Sequence, residues 1–261
     1  MNGLLKKVLL SIVILGLSVM VMKISNAAQN NVPTGSDTFT TFNSSRFSNP
    51  NLNGTTVSAE AGNVTGLNLH ENTATQAWAG YYGNVSGTIV LSDSASNTMY
   101  NWQLTSPSGQ IFASNGSMVS WSLTTCVNLT ANGSSDYPMN YTMLENFFVI
   151  NKTDMDGFNE TFNDTYNDIS GFTVGSVRIN TVDKCPMAYT FVDSAYQQTD
   201  FKEVLLTDNS SIIFTALIND SKTGFKSSET DPVDFQMLIA ENGHVGSEST
   251  LTTYYFFIQL T

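Results

Sequence analysis

The 261 residues suffice for one large domain or two small ones, and 41% apolar residues with 11% aromatics can bury a core, which excludes intrinsic disorder. Only 12% of residues are charged, about half the usual share, while 27 Asn, 30 Ser and 31 Thr fill 88 of 261 positions. A formal charge of −12, from 10 Lys plus Arg against 22 Asp plus Glu, leaves no basic patch for a run of phosphates and excludes nucleic acid as a partner; carboxylates this sparse also argue against a halophile surface.

In chain order, Lys6 and Lys7 precede an apolar run of 15 residues, Val8 to Met22, followed by Lys23 and the small residues Ser25 and Ala27. These parts predict a secretory signal peptide over residues 1–27, cleaved after Ala27. The run falls short of the roughly 20 apolar residues that span a bilayer, so the membrane is met only through this segment, during export. Cleavage removes three lysines and leaves 7 basic against 22 acidic groups, a mature charge of −15.

Residues 28–58 read as a polar arm with Pro33 and Pro50, in which only Thr38 to Phe42 is strand-like. Residues 59–261 read as one antiparallel β-sandwich-like domain. Short β-type runs are expected at Gly87–Leu91, Thr98–Leu104, Gln110–Ala113 and Met118–Ser122, with a turn at Ser106–Gly109 where Pro107 presets φ. Between the cysteines the period becomes helical. Tyr141, Leu144, Phe147 and Phe148 follow Pro138, and Met155, Phe158 and Phe162 follow Thr153 as an expected N-cap, giving two short helices in an insertion over about 127–170. Strands resume at Phe172–Ile179, Ala188–Val192, Val204–Leu206, Ser211–Leu217, Val233–Ala240 and Thr252–Leu260. The last is apolar on both faces and must be covered on both, by its own sheet or by a neighbouring molecule. Two echoes suggest repeated hairpins: Gly62–Gly66 against Gly83–Gly87, and Val90–Asp93 against Leu205–Asp208.

Cys126 and Cys185 are the only cysteines. In an exported chain such a pair joins, and a disulfide closing the insertion is expected. Asn43, Asn53, Asn63, Asn84, Asn115, Asn128, Asn132, Asn140, Asn151, Asn159, Asn163, Asn209 and Asn219 each head an N-x-[ST] sequon, 13 in all, about twice what this composition supplies by chance. They predict a glycosylated exterior, which would solubilise so weakly charged a chain. No sequon follows Asn219, so 220–261 is expected to be core or interface.

Thr75–Leu91, Cys185–Asp193, Asp200–Asp208 and the ending T-T-Y-Y-F-F-I-Q-L resemble uncharacterised secreted β-rich proteins of archaea. That resemblance covers most of the mature chain and implies an extracellular place but no catalytic residue. By weaker analogy, a signal peptide followed by β-rich glycosylated sequence is similar in kind to archaeal surface filament subunits that exchange donor strands.

Chemistry is poorly signalled. His70 and His244 are the only candidate bases and neither lies near a nucleophile elbow, so no enzyme activity and no cofactor are expected. The cluster Asp154, Asp156, Glu160 and Asp164 invites a calcium reading, but an EF-hand register anchored on Gly157 would put Lys152 at the first ligand position; solvated helix faces explain it, and no metal is assigned. Trp78, Trp102 and Trp121 with Tyr81 and Tyr82 read as core filling. The alternative is a carbohydrate-binding module that stacks sugars on Trp78, Tyr81 and Tyr82. The reading overall is a secreted, N-glycosylated structural or adhesive cell-surface protein that self-associates or binds other surface components, as a filament subunit assembling by strand addition through Asp37–Phe42 or the terminal strand.

Overall fold

The computed structural model describes residues 32–41, 44–47, 56–129, 140–151, 153–192, 195–196, 200–226, 231–242 and 251–261. The expected signal peptide lies outside them. The strands in chain order are β1 (Trp78–Gly83), β2 (Thr88–Ser92), β3 (Thr98–Gln103), β4 (Gly109–Ser114), β5 (Thr125–Cys126), β6 (Asp164–Thr165), β7 (Phe172–Val174), β8 (Val177–Ile179), β9 (Pro186–Tyr189), β10 (Phe191–Val192), β11 (Ala195–Tyr196), β12 (Lys202–Thr207), β13 (Ile212–Leu217), β14 (Phe235–Ala240) and β15 (Tyr255–Leu260). The helices are α1 (Tyr141–Phe147) and α2 (Phe158–Thr161). The fold is mainly β and antiparallel, as the turn-punctuated runs predict.

A seven-stranded sheet ordered β15-β4-β13-β12-β9-β6, with β5 also paired to β12, forms the middle layer. Its central strands are covered on both faces, so they read as nearly unbroken apolar runs and alternate between two cores. Ile111, Leu205, Ile212 and Phe214 face one cluster with Met237 and Ile239 of β14. Phe112, Val204, Leu206 and Ile213 face the other, with Phe172, Val174 and Ile179 of the β7–β8 hairpin. The β1–β14 ribbon and the helices thus cover one face and β7–β8 the other. Phe214 is fully buried, and its truncation to Ala would cost about 3–5 kcal/mol by lost transfer energy and cavity formation.

Both expected helices form, but they belong to the core. Leu144, Phe148, Phe158 and Phe162 are buried in the first cluster, and β6 pairs with β9 in the main sheet. Asn140 caps α1 by accepting from the Met143 amide at 3.0 Å. The expected Thr153 cap does not occur: Gly157 precedes α2, and the Thr153 amide and hydroxyl donate instead to the side-chain Oδ1 of Asn151, in its own sequon. Met155, expected on the apolar face, is 88% exposed.

Four strand expectations are corrected. Ala188–Val192 is divided, β9 ending at Tyr189 in the main sheet and β10, Phe191–Val192, pairing with β11. Phe172–Ile179 is two strands, because Gly175 takes φ +58° and turns the chain back on itself. Met118–Ser122 is not a strand: the Asp208 carboxylate takes the Ser120 amide at 2.8 Å, and a 3-10 turn, Trp121–Leu123, follows. No strand is assigned over 38–41; Phe42 lies outside the described residues. The predicted turn at Ser106–Gly109 is present. Gly109 has φ +131°, and a Cβ there would run into the Gln259 carbonyl oxygen, so glycine is required where β4 meets β15.

The described part of the arm does not stand apart. Residues 32–261 cluster as one unit, and Thr34 bridges to Ile258 through amide–carbonyl bonds of 3.1 and 2.8 Å. The predicted disulfide joins Cys126 to Cys185 with Cα atoms 4.8 Å apart, tying β5 to the chain entering β9.

Candidate functional site

The outer edge of the main sheet is built by the last strand. β15 pairs with β4 from Tyr255↔Ser114 to Leu260↔Gly109, and its alternating aromatics are gripped on both faces. Phe256 lies 5.4 Å from Phe39 of the arm and 5.3 Å from Tyr81 of β1. Phe257 points the other way, 5.2 Å from Trp121, which itself packs at a tilt against Phe112. Gln259 is buried and its Oε1 accepts from the Gly175 amide at 2.8 Å, fastening the edge strand to the β7–β8 turn. The apolar ending of the chain therefore sits in its own sheet, and 220–261 supplies two core-facing strands, β14 and β15. Among the described residues, Thr34 is the only one bridged to the far side of β15.

Trp78, Tyr81 and Tyr82 do not form a common platform. Trp78 packs 5.0 Å from Phe158 and 5.9 Å from Phe162, and its indole N–H donates to the Asp156 carbonyl at 2.6 Å. Tyr81 and Tyr82 are consecutive in β1 and so point to opposite faces; one meets Phe256, the other Phe225. The exposed aromatic pair is elsewhere, Tyr100 and Trp102 on β3, with ring centroids 4.8 Å apart. Strand alternation in T-M-Y-N-W-Q already places these two on one side, a signal carried by Tyr100 together with Trp102.

Of the sequon asparagines, Asn63, Asn84, Asn128, Asn151, Asn159, Asn163 and Asn209 are exposed, Asn115, Asn140 and Asn219 half-buried, and Asn43, Asn53 and Asn132 lie outside the described residues. The half-buried three have structural duties: Asn115 accepts from the Ile212 amide, Asn140 caps α1, and Asn219 donates to the Asp200 carbonyl. A cleft of about 690 Å³ beside the disulfide is lined by Asp164, Arg178 and Lys184, with Asn128 and Asn163 among its walls.

The acidic cluster is divided among separate partners. Asp156 accepts from the Thr75 hydroxyl at 2.5 Å, and Asp154 from the Asn151 amide at 3.1 Å. No group of three metal-ligating side chains is present among the described residues. His70 is exposed in a loop, and His244 lies outside the described residues.

Two carboxyls are strongly perturbed. Burial pushes the Glu203 carboxyl well up; its Oε2 accepts from the Leu238 amide at 2.7 Å, which opposes the shift, while Oε1 has no partner. Glu203 thus links the main sheet to β14, and its burial favours the neutral over the charged carboxyl. At Asp208 burial alone would raise the value, but the Ser120 amide, both Ser211 donors and both Ser210 donors bond the carboxylate and hold it down at about 2.

The chain matches no family model, no curated protein and no solved structure.

Proposed function

We propose that this is a secreted, N-glycosylated structural or adhesive protein of a cell surface, and that it assembles by strand addition at the β15 edge. The observation that supports the reading best is the Thr34–Ile258 bridge, which docks the described part of a polar arm on the outer edge of a seven-stranded sheet. An edge strand is a template for an added strand, main-chain bonds giving affinity and alternate side chains giving register. Among the described residues the arm meets β15 through the Thr34–Ile258 bridge and the Phe39–Phe256 ring contact, and both can be made equally within one chain or by the arm of a neighbouring copy. The disulfide and the exposure of most described sequons agree with an oxidising, glycan-bearing exterior. The resemblance to secreted archaeal proteins points the same way. The carbohydrate-binding alternative loses its support with the dispersal of Trp78, Tyr81 and Tyr82.

The test is a pair of substitutions, Thr34→Cys with Ile258→Cys, in the secreted chain. Arm exchange predicts a ladder of covalent multimers on a non-reducing gel. Monomers alone, with the new cysteines fully oxidised, would show that the arm stays on its own sheet.

A further inference from the structure

Among the described elements the β2–β3 hairpin is the least covered: every residue in both strands is exposed. Its register sorts the side chains. Ile89 faces Trp102 and Leu91 faces Tyr100 on one side, while Thr88, Gln103, Val90 and Asn101 share the other. The first side is apolar at Ile89, Leu91, Trp102 and, but for its hydroxyl, Tyr100, which are 48%, 51%, 49% and 58% exposed; Thr98 shares the end of that side and Met99 lies on the other. A two-stranded ribbon is marginal in water without something against its apolar face. At its foot Gly87 lies against the Leu104 and Leu260 side chains, so the ribbon leaves the body at the end of β15.

We infer that this face binds the same face of a second copy of the chain, ribbon against ribbon about a two-fold axis. Charge selects that occupant. From residue 72 to residue 135 the only charged side chain is Asp93, in a chain of net charge −12. Two acidic copies repel each other over most of their surface and can approach here. The same 64 residues hold no Lys or Arg, so an anionic lipid surface is not attracted to them. No sequon lies between Asn84 and Asn115, so no glycan anchored on the ribbon keeps a partner off. Asp93 is turned to its own loop, accepting from the Ala95 and Asn97 amides and the Asn97 side chain.

Four large side chains, each about half exposed, offer roughly 400 Å² per copy, about half of what each partner buries in a stable complex. The contact is therefore weak and reversible alone, and is strengthened when copies are already held together. Being isologous, it closes on itself and pairs two molecules, whereas strand addition propagates. The two contacts are independent.

The full secreted protein is examined by sedimentation equilibrium from roughly 1 μM to 1 mM, the span over which a contact of this size titrates. A concentration-dependent dimer is expected. Leu91→Ser with Trp102→Ser is expected to raise its dissociation constant at least tenfold, as loss of a central Trp does, with the thermal midpoint unchanged. A second variant, Ile89→Cys, keeps Trp102 and is expected to form an interchain disulfide on mild oxidation. A monomer at every concentration, a dimer indifferent to the serine substitutions, or no cross-link at Ile89→Cys would each overturn the proposal. So would a monomer whose tryptophan emission shifts to the blue on phosphatidylcholine vesicles, which would assign the face to lipid. The Thr34–Ile258 cysteine ladder is unaffected by these substitutions, so failure here and failure of the edge contact are told apart.

Discussion

Asp208 gives the sharpest test of how the sheet is held together. Its Oδ1 accepts from the Ser210 amide and hydroxyl at 3.0 and 2.8 Å and from the Ser211 amide and hydroxyl, both at 2.8 Å; its Oδ2 accepts from the Ser120 amide at 2.8 Å. One carboxylate thereby closes the β12–β13 turn and pins the Ser120 loop to it. A value of about 2 against an ordinary 3.8, at about 1.4 kcal/mol per pH unit, corresponds to at most about 2.5 kcal/mol of pH-dependent stability. Asp208 itself is 2% exposed, but Asn209 and Ser210 beside it are exposed, so screening by solvent reduces this to about 1–2 kcal/mol. Because the folded value is depressed, this stability is present above the unfolded value and is lost as pH falls through about 2. Asp208→Asn should therefore be less stable than the parent by about 1–2 kcal/mol from pH 7 down to pH 5, and the gap should close between about pH 4 and pH 2. Urea unfolding followed by tryptophan fluorescence at each pH measures the gap, and carboxylates common to both chains cancel. A gap of the same size at pH 2 as at pH 7, or none at pH 7, would refute the reasoning.

Glu203 should titrate in the opposite sense. Its folded value is raised, so the stability it contributes is complete below its ordinary 4.5 and is lost as pH rises through the raised value; Glu203→Gln should flatten the thermal midpoint across that window, and parallel profiles would count against it. Replacing both cysteines with serine removes a cross-link spanning 59 positions, which should cost about 4 kcal/mol and lower the melting temperature by roughly 8–16 °C in calorimetry. Glycopeptide mass spectrometry of native material should find the exposed Asn63, Asn84, Asn128, Asn151, Asn159, Asn163 and Asn209 occupied and the engaged Asn115, Asn140 and Asn219 largely bare; the reverse order would contradict the surface assignment.

The central strands were legible because burial on both faces leaves little but apolar residues, as in Ser211–Leu217. The echo of Val90–Asp93 in Leu205–Asp208 has a physical basis without duplication: in each, the strand ends in an Asp that accepts amides from the turn after it, and each turn holds a residue at positive φ, Ser96 or Asn209. The other echo has no such basis, since Val64 is fully exposed and Val85 packs on the core. What the sequence hid was long-range. Gly80 and Gly83 disguise β1, whose pairing with β14 comes from residues more than 150 positions away. Met118–Ser122 alternates like a strand, but the Asp208 carboxylate 88 positions on claims the Ser120 amide. The edge site was half visible: the apolar ending is plain in the sequence, while its place beside β4 and under Thr34 is set by tertiary pairing.

Cryo-electron microscopy of the native secreted material would show assembly at the β15 edge directly. Ordered assemblies are expected, in which a neighbour's arm lies along Tyr255–Leu260 as an added strand. Dispersed single particles, or assemblies that leave that edge free, would contradict assembly there.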